Sequence, residues 1–177
     1  AAQILQINTG LLCNQYCKHC HLDAGPNRDE LMDKATMDQL VRFQGRCRFN
    51  TVDITGGAPE LNDDLIYLLE EMARITNTVM LRSNLSALYD QKDSSPLLET
   101  LIKHKVIVVS SFPALNASQT DSQRGKGIFD KSIKALVLLN QVGYGQPDSG
   151  LELNLVANPA GAFLPSSQEA TEKRYRK

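Results

Sequence analysis

The chain has 177 residues, of which 42% are hydrophobic, and its 19 basic and 20 acidic side chains leave a formal net charge of −1. This length suits one domain with a buried core, and the balanced charge, with no basic stripe, argues against nucleic acid as a partner. No apolar run approaches the ~20 residues needed to cross a bilayer, which argues against a membrane partner.

The cysteine content favours a reducing compartment. Three of the four cysteines lie within eight residues, which suits metal ligation better than a disulfide framework. We therefore expect a cytoplasmic chain, or one from an organelle interior whose transit peptide was removed. The first residue is Ala1 rather than methionine, which indicates that a start codon, a tag or a transit peptide is missing.

The periodicity of the chain predicts its fold class. Short β-branched or apolar runs alternate with longer segments of helical period, without repeats or low-complexity tracts. This order predicts an α/β fold, a parallel sheet with crossover helices. The predicted strands span residues 4–8, 51–55, 78–82, 106–110 and 151–156.

Local signals predict where helices begin and which faces they bury. Two capping boxes and one N-cap followed by proline occur at Thr36 with Gln39, Ser166 with Glu169, and Ser95 with Pro96. Two apolar stripes predict core-facing surfaces, and Gly143 is placed to end the second helix. The stripes comprise Leu65, Leu68, Leu69 and Met72, and then Ile133, Leu136, Val137 and Asn140.

Unusual residues collect where the predicted strands end. In parallel α/β sheets and barrels, the loops at the carboxyl edge build the active site. Chance would have scattered such residues over both edges, so this organisation predicts an enzyme. In strand order they are Cys13, Cys17 and Cys20, then Gly56 and Gly57, Ser83 and Asn84, Ser111, and finally Asn154 and Asn158.

Cys13, Cys17 and Cys20 place three thiols on one short loop, close enough to ligate three irons of a 4Fe-4S cluster and leave the fourth iron open. The alternative is zinc, with His19 or His21 completing a Cys3His set, although structural zinc sites usually draw ligands from two separated pairs. Cys47 ends a predicted helix far from this loop, where a free cysteine is commonly buried as a small hydrophobe.

Two further loops carry weaker signals. Gly56 and Gly57 stand where a strand stops, so they either let a ligand approach bare backbone or simply turn the chain. Residues 112–129 form a long connection with a basic, glycine-rich stretch at 123–127, which is typical of a lid or substrate contact and equally of an ordinary solvated loop.

The cysteine spacing, followed one strand later by the glycine pair, resembles the radical S-adenosylmethionine superfamily. The resemblance implies a partial (β/α)6 barrel, here about five βα units over residues 1–177, with a 4Fe-4S cluster and S-adenosylmethionine as cofactors. It implies reductive cleavage of S-adenosylmethionine to a 5'-deoxyadenosyl radical. It also implies a reductant such as flavodoxin or ferredoxin as a partner.

Within that superfamily, the strand-end residues are predicted to hold S-adenosylmethionine. Gly56 and Gly57 would seat its amino group, and Arg82 would pair with its carboxylate. The predicted ribose contacts and the remaining strand-end candidate for cofactor binding are Ser83, Asn84, Ser110, Ser111 and Asn154.

A narrower resemblance is to the arsenosugar-biosynthesis radical S-adenosylmethionine proteins. The blocks that carry it are LLCNQYCKHCH at 11–21, DITGGAPEL at 53–61, SNL at 83–85, DSQRG at 121–125, LNQVGYG at 139–145 and NPAGAFLP at 158–165. This resemblance implies transfer of the adenosyl unit to dimethylated trivalent arsenic. The alternatives are a radical enzyme acting on another small molecule or a peptide, and a non-catalytic iron-sulfur or zinc scaffold.

This chain departs from the arsenosugar family in two respects. Ser83 and Ala114 stand where that family usually has cysteine, so arsenic-binding thiols would have to come from elsewhere. The chain also stops at Lys177, without the family's cysteine-rich C-terminal region or a sixth strand. We therefore expect an incomplete core domain with an open sheet edge.

Overall fold

The computed structural model describes residues 2–157 and 167–175. Five parallel strands form one sheet in chain order, β1 to β5, which confirms the predicted α/β class. The strands are β1 Ile4–Asn8, β2 Thr51–Thr55, β3 Thr78–Ser83, β4 Ile107–Ser111 and β5 Leu153–Val156. The predicted strand bounds differ by at most two residues at either end.

Helices connect successive strands, as the order of the segments predicts. The helices are α1 Lys34–Cys47, α2 Leu65–Ile75, α3 Ser86–Asp90, α4 Ser95–Lys103, α5 Ala117–Arg124, α6 Ile128–Gln141 and α7 Gln168–Tyr175, with a 3-10 turn at Pro59–Leu61. No helix in the described part of the chain is both long enough and apolar enough to span a membrane.

One face of the sheet packs against helices and forms the hydrophobic core. Val52, Ile54 and Val108 on this face are at most 1% exposed. The predicted stripe of α2 lies in the same core, with all four of its residues buried. Alternate strand residues point to the opposite face, where Gln6 and Asn154 are exposed.

The predicted inner stripe of α6 is wrong except at Leu136, which is partly buried and packs against the core. Ile133 is 38% exposed and Val137 is 50% exposed, because the helix instead buries the stripe that begins at Ile128. The buried residues are Ile128, Ser132, Ala135 and Leu139, whose spacing also follows the helical period. Two of them are small, so contacts with α3 and α5, not side-chain hydrophobicity, set the buried face. Gly143 follows the C-cap with φ +105°, as a helix stop requires.

Two of the predicted helix starts are also wrong. Asp33, not Thr36, caps α1, and its carboxylate accepts from the Thr36 backbone N–H at 2.8 Å. The cap of α4 is Ser94, one residue before Ser95. In both cases an earlier residue in the same polar run takes the capping position. The third predicted cap, Ser166, lies outside the described residues.

Two other interpretations need correction. Cys47 ends α1 as predicted, but it is exposed rather than buried, since it lies on the solvent side of the last helical turn. Residues 112–129 are not simply a long loop, because α5 occupies Ala117–Arg124 and Asp121 accepts the backbone N–H groups of Gly127 and Phe129 at 2.7 and 2.9 Å. The basic stretch is thereby tied between two helices.

Candidate active site

The cysteine loop lies at the carboxyl edge of the sheet and is fixed to the loop after β2. The backbone N–H groups of Gly57 and Ala58 donate to the carbonyls of Gly10 and Leu12 at 2.9 and 2.8 Å. On its other side, the Cys13 N–H donates to the Gly25 carbonyl at 3.2 Å. Main-chain hydrogen bonds on both sides therefore hold the start of the loop.

The glycine pair is needed for this close contact between backbones. A Cβ atom at Gly57 would lie 2.3 Å from the Leu12 carbonyl oxygen, and one at Gly56 would lie 2.9 Å from Thr9 Oγ1. Real Cβ atoms do not approach so closely, so both positions require glycine for packing of the two loops. The predicted seat for the amino group of S-adenosylmethionine stays a prediction beside this structural role.

The three thiols of the loop lie in a region of low solvent access. Cys13 is 6% exposed, and Cys17 and Cys20 are partly buried. Burial raises the pKa of the Cys13 and Cys17 thiols, and the neighbouring thiols raise each further. The guanidinium of Arg124 opposes this shift at Cys17. The three thiols thus share one partly buried loop at the sheet edge.

The thiols are not yet arranged around one point. No group of three metal-ligating side chains converges within the described residues, and the Cys17 thiol donates to Gln15 Oε1 at 3.2 Å. Ligation therefore requires thiol deprotonation and loss of this hydrogen bond. The donor set suits an iron-sulfur cluster, because three soft thiols share one loop. His19 and His21 are exposed, and neither completes the zinc alternative in this arrangement.

Asn84 connects the cysteine loop to the start of α3. Its Nδ2 donates to Cys13 Sγ at 3.4 Å and to Asn14 Oδ1 at 2.9 Å. Gln15, which is 2% exposed, donates to Ser86 Oγ at 2.7 Å in the same network. The Asn84 side chain thus contacts the cysteine loop, and the ribose contact predicted for it stays a prediction.

Two buried charged side chains border the loop, and sequence reasoning missed both. Arg124 is 4% exposed, and its Nε and Nη1 atoms have no hydrogen-bond partner. Glu60 is 6% exposed, and neither carboxylate oxygen makes a hydrogen bond of normal geometry. Burial raises the pKa of Glu60, although the nearby Ser83 hydroxyl opposes the shift, and burial lowers the pKa of Arg124.

The sequence carried a signal for each of these residues. Glu60 lies three residues after the glycine pair in the block DITGGAPEL, and Arg124 lies in the basic stretch, which is typical of a lid or substrate contact and equally of an ordinary solvated loop. Neither pattern shows burial, which depends on contacts between distant segments. One such contact is the hydrogen bond from the Lys18 N–H to the Gln123 carbonyl at 2.9 Å, which brings the end of α5 against the cysteine loop.

The predicted S-adenosylmethionine contacts on β3 to β5 fall on two different faces of the sheet. Ser83 and Ser110 are 6% and 0% exposed and share the helix-facing side with Leu81 and Val108. Their burial limits access of a ligand to these two hydroxyls, and the predicted ribose contacts stay predictions. Ser111 and Asn154 are exposed on the opposite face, where their predicted roles stay predictions.

Arg82 also lies on the exposed face, but it already has an anionic partner. Its Nε and Nη2 atoms donate to the Asp53 carboxylate at 2.9–3.0 Å, and Gln6 Nε2 donates to the same carboxylate at 3.0 Å. A carboxylate of S-adenosylmethionine would have to compete with Asp53. Arg124, which has unpartnered donors beside the cysteines, fits that role better.

A sequence model of the Radical SAM superfamily matches residues 7–151, a stretch that contains the cysteine loop, the glycine pair and Arg124. The chain belongs to the radical SAM superfamily. Members of this superfamily are enzymes that use a 4Fe-4S cluster and S-adenosylmethionine, which confirms both cofactor predictions at the level of the family.

Individual relatives agree on the superfamily and differ in what they are named for. Two curated proteins, each called "Probable GTP 3',8-cyclase", match this radical SAM chain. The Thermoplasma volcanium protein is 25% identical over 142 residues, or 78% of this chain and 41% of its own length. The Pyrococcus abyssi protein is 22% identical over 121 residues, or 63% and 40%. The chain thus spans about two-fifths of the length of these relatives.

A solved structure shows the same fold. Streptococcus suis SuiB bound to S-adenosylmethionine superimposes with a TM-score of 0.71 at 20% identity, over 99% of this chain and 37% of that one. These comparisons support the radical SAM fold, and the two curated relatives are named as GTP cyclases. The arsenosugar assignment is therefore finer than what they show.

Proposed function

We propose that this chain binds a 4Fe-4S cluster through Cys13, Cys17 and Cys20 and catalyses the reductive cleavage of S-adenosylmethionine. The observation that carries the proposal is the position of three neighbouring thiols on one loop at the carboxyl edge of a parallel sheet. The other cysteine, Cys47, lies at the exposed end of α1. Three thiolates leave one iron of the cluster open to a ligand.

The chain's own residues would bind and orient the cofactor. The unpartnered Nε and Nη1 of Arg124 would donate to the carboxylate of S-adenosylmethionine beside the open iron. Gly57 keeps the cysteine loop against the loop after β2, and partial burial of the thiols limits access of water and oxygen. A cluster held by these three cysteines would supply the one-electron reduction that breaks the sulfur–C5' bond of S-adenosylmethionine to give methionine and a 5'-deoxyadenosyl radical.

The test compares two replacements of Arg124 after anaerobic reconstitution with iron and sulfide. Arg124→Met removes the donors, whereas Arg124→Lys keeps a positive charge. Because a hydrogen bond to a charged group contributes about 1.5–3 kcal/mol, the KM for S-adenosylmethionine should rise about 10- to 100-fold in the Met variant. The Lys variant should lose less.

Iron content and 5'-deoxyadenosine formation are measured alongside the KM. A chain that takes up no iron, or that holds a cluster without forming 5'-deoxyadenosine, would contradict the proposed activity. An unchanged KM in the Met variant would remove only Arg124 from the site.

For the substrate, we infer that the parent protein joins the 5'-carbon of the adenosyl group to dimethylated arsenic(III). The arsenic lone pair forms the carbon–arsenic bond as the sulfur–carbon bond breaks and methionine leaves. Arsenic is oxidised from III to V, and the electron used for cleavage is returned, so one S-adenosylmethionine is consumed per product. The support is the set of sequence blocks shared with the arsenosugar-biosynthesis proteins. Ser83 stands where that family usually has cysteine. Its side chain is buried on the helix-facing side, which argues against a role for a thiol at this position. The last block, at 158–165, lies outside the described residues.

A second candidate is cyclisation of a purine nucleotide, which the names of the matched relatives favour. Anaerobic turnover with reductant and S-adenosylmethionine, offered dimethylarsenic(III) or GTP in parallel, separates the two candidates by mass spectrometry. An arsenic–adenosyl adduct supports the first and a cyclised nucleotide the second. Formation of 5'-deoxyadenosine alone would contradict both and leave another small molecule or a peptide as substrate.

A further inference from the structure

We propose that Asn84 is a positioning residue for the iron-sulfur cluster, whose side-chain amide donates an N–H···S hydrogen bond to the Cys13 ligand and raises the reduction potential of the cluster. The inference rests on the proposed cluster ligation by Cys13, Cys17 and Cys20. The contact itself is present in the structure, with Asn84 Nδ2 3.4 Å from Cys13 Sγ.

The hydrogen-bonding partners of Asn84 fix the orientation of its amide group. The Ala87 backbone N–H donates to Asn84 Oδ1 at 2.9 Å, and Ser86 Oγ donates to the same oxygen at 3.3 Å. Because these donors need an acceptor, the oxygen points to α3 and the nitrogen points to the cysteine loop. One amide hydrogen is directed to Asn14 Oδ1 at 2.9 Å, which leaves the other for Cys13 Sγ.

This arrangement does more than begin a helix. Asn84 lies one residue before Leu85, the N-cap of α3. Acceptance of the Ala87 N–H needs only an oxygen at residue 84, and Asp, Ser or Thr would supply one equally well. Asn116 illustrates a cap without this second role, since its Oδ1 accepts the Gln119 N–H at 2.9 Å at the start of α5 and its Nδ2 donates to the Gln119 side chain. Asparagine carries its acceptor and its donors on two separate atoms, so Asn84 can accept from the helix through Oδ1 while it donates to the sulfur through Nδ2.

The sign of the effect follows from charge. A donor directed at a cysteine sulfur favours the more negative, reduced cluster, and hydrogen bonds to the sulfurs are among the factors that set cluster potentials. Loss of this donor should therefore make the cluster harder to reduce. At a fixed applied potential, the ratio of reduced to oxidised cluster should fall about tenfold, which equals a midpoint shift of about 59 mV for a one-electron couple.

The experiment measures the midpoint potential by EPR-monitored titration of the reconstituted full chain. Asn84→Asp and Asn84→Thr both keep an oxygen for capping and remove the amide donor, and the Thr variant is neutral. Asn116→Asp is the matched control. Both Asn84 variants should shift to lower potential, with the larger shift in the Asp variant, while the control should not change.

Three results would overturn the inference. A cluster with unchanged potential in both Asn84 variants would overturn it alone, and so would a shift confined to the Asp variant, which would reflect added charge. A wild-type chain that binds no cluster would overturn this inference together with the proposed function.

A measurement on the wild-type chain covers the case in which the variants fail to fold. Asparagine labelled with 15N only at the side-chain amide should give a weak 15N coupling to the reduced cluster in pulsed EPR. Absence of that coupling would also overturn the inference.

Discussion

Two regions of the molecule differ in which buried groups lack a hydrogen-bond partner. They are the core between the sheet and the helices, and the layer of loops at the carboxyl edge. In the core, Gln44 is fully buried, yet it donates to the Phe49 carbonyl at 2.8 Å and accepts from the Phe49 N–H at 3.2 Å. Tyr144, also fully buried, donates to the Val106 carbonyl at 2.7 Å. In the loop layer, Glu60 and Arg124 are buried with unpartnered atoms.

This difference lies in which of the unpartnered buried groups are charged. Unpartnered buried charges cost several kcal/mol each in real proteins, so a fold keeps them only where something else meets them. In the core, Ser110 and Ser132 leave neutral hydroxyls without a partner, whereas the loop layer leaves Nε and Nη1 of a buried guanidinium without a partner beside the cysteine loop. The unpartnered charged groups of the loop layer support the proposal that a bound group is held there.

Removing one cysteine of the loop layer should give the largest effect. It should abolish iron binding without changing the fold of the core. Cys13→Ala should abolish cluster binding and formation of 5'-deoxyadenosine, because loss of one of three ligands exposes the cluster to solvent and oxygen. Iron content per chain and product formation are the measurements, with circular dichroism expected to show an unchanged fold. Cys47→Ala is the control and should retain full iron. If Cys13→Ala kept its iron and Cys47→Ala lost it, the ligand assignment would be wrong.

Truncation of a core side chain should have the opposite effect: the free energy of unfolding should fall and iron content should not. Leu68→Ala removes a fully buried side chain of α2 and should lower the free energy of unfolding by about 2–5 kcal/mol. Iron content per folded chain should stay unchanged. Val137→Ala, at a 50% exposed position of α6, should change stability by no more than about 0.5 kcal/mol. Urea unfolding measures the stability of both variants. Selective loss of iron in the Leu68 variant would contradict the proposal that iron binding depends on the loop layer and not on the core.

Replacement of Gly57 should change both stability and iron content, because Gly57 holds the cysteine loop to the sheet edge. In Gly57→Ala, the new methyl group would overlap the Leu12 carbonyl at 2.3 Å, so we expect a loss of roughly 1–3 kcal/mol in stability together with a reduced iron content. Gly45→Ala is the matched control, since a Cβ at this position in α1 meets nothing within 4 Å. Its stability should rise by about 0.4–1 kcal/mol. Equal iron content in both variants would contradict the role of Gly57.

Much of the sheet was predictable because the signal is local. Alternation of β-branched strands with helical segments predicts the parallel order, and the positions of the cysteines and glycines predict the active edge. The buried face of α6 was not predictable from the apolar stripe, since Ser132 and Ala135 are buried through contacts with other helices. Helix starts were missed by one to three residues for lack of tertiary information.

The site itself was predictable only in part. The ligand loop follows from spacing, because all three cysteines are close in sequence. Asn84 bonding to Cys13 spans 71 positions, and the pairing of Arg82 with Asp53 spans 29. Such pairs depend on which strands are neighbours and on which face each residue points to, and one sequence does not specify these partners.

The smallest expected effect concerns the pH dependence of stability, and it tests whether the loop layer holds a neutral Glu60. Burial raises the pKa of this carboxyl in the folded chain, so the native state keeps a proton that the unfolded state releases above about pH 4.3. The unfolded state then binds fewer protons, and the free energy of unfolding falls as pH rises towards the folded-state pKa.

Glu60→Gln replaces the protonated acid with a neutral side chain of similar shape and removes this dependence. The variant should therefore gain stability relative to wild type as pH increases from 4.5 to 8, measured by urea unfolding of chains prepared without iron. Glu99→Gln, at an exposed position of α4, is the control and should follow wild type. Parallel stability curves for wild type and Glu60→Gln would mean that Glu60 is ionised in the fold, and the loop layer would then need a cationic partner for it.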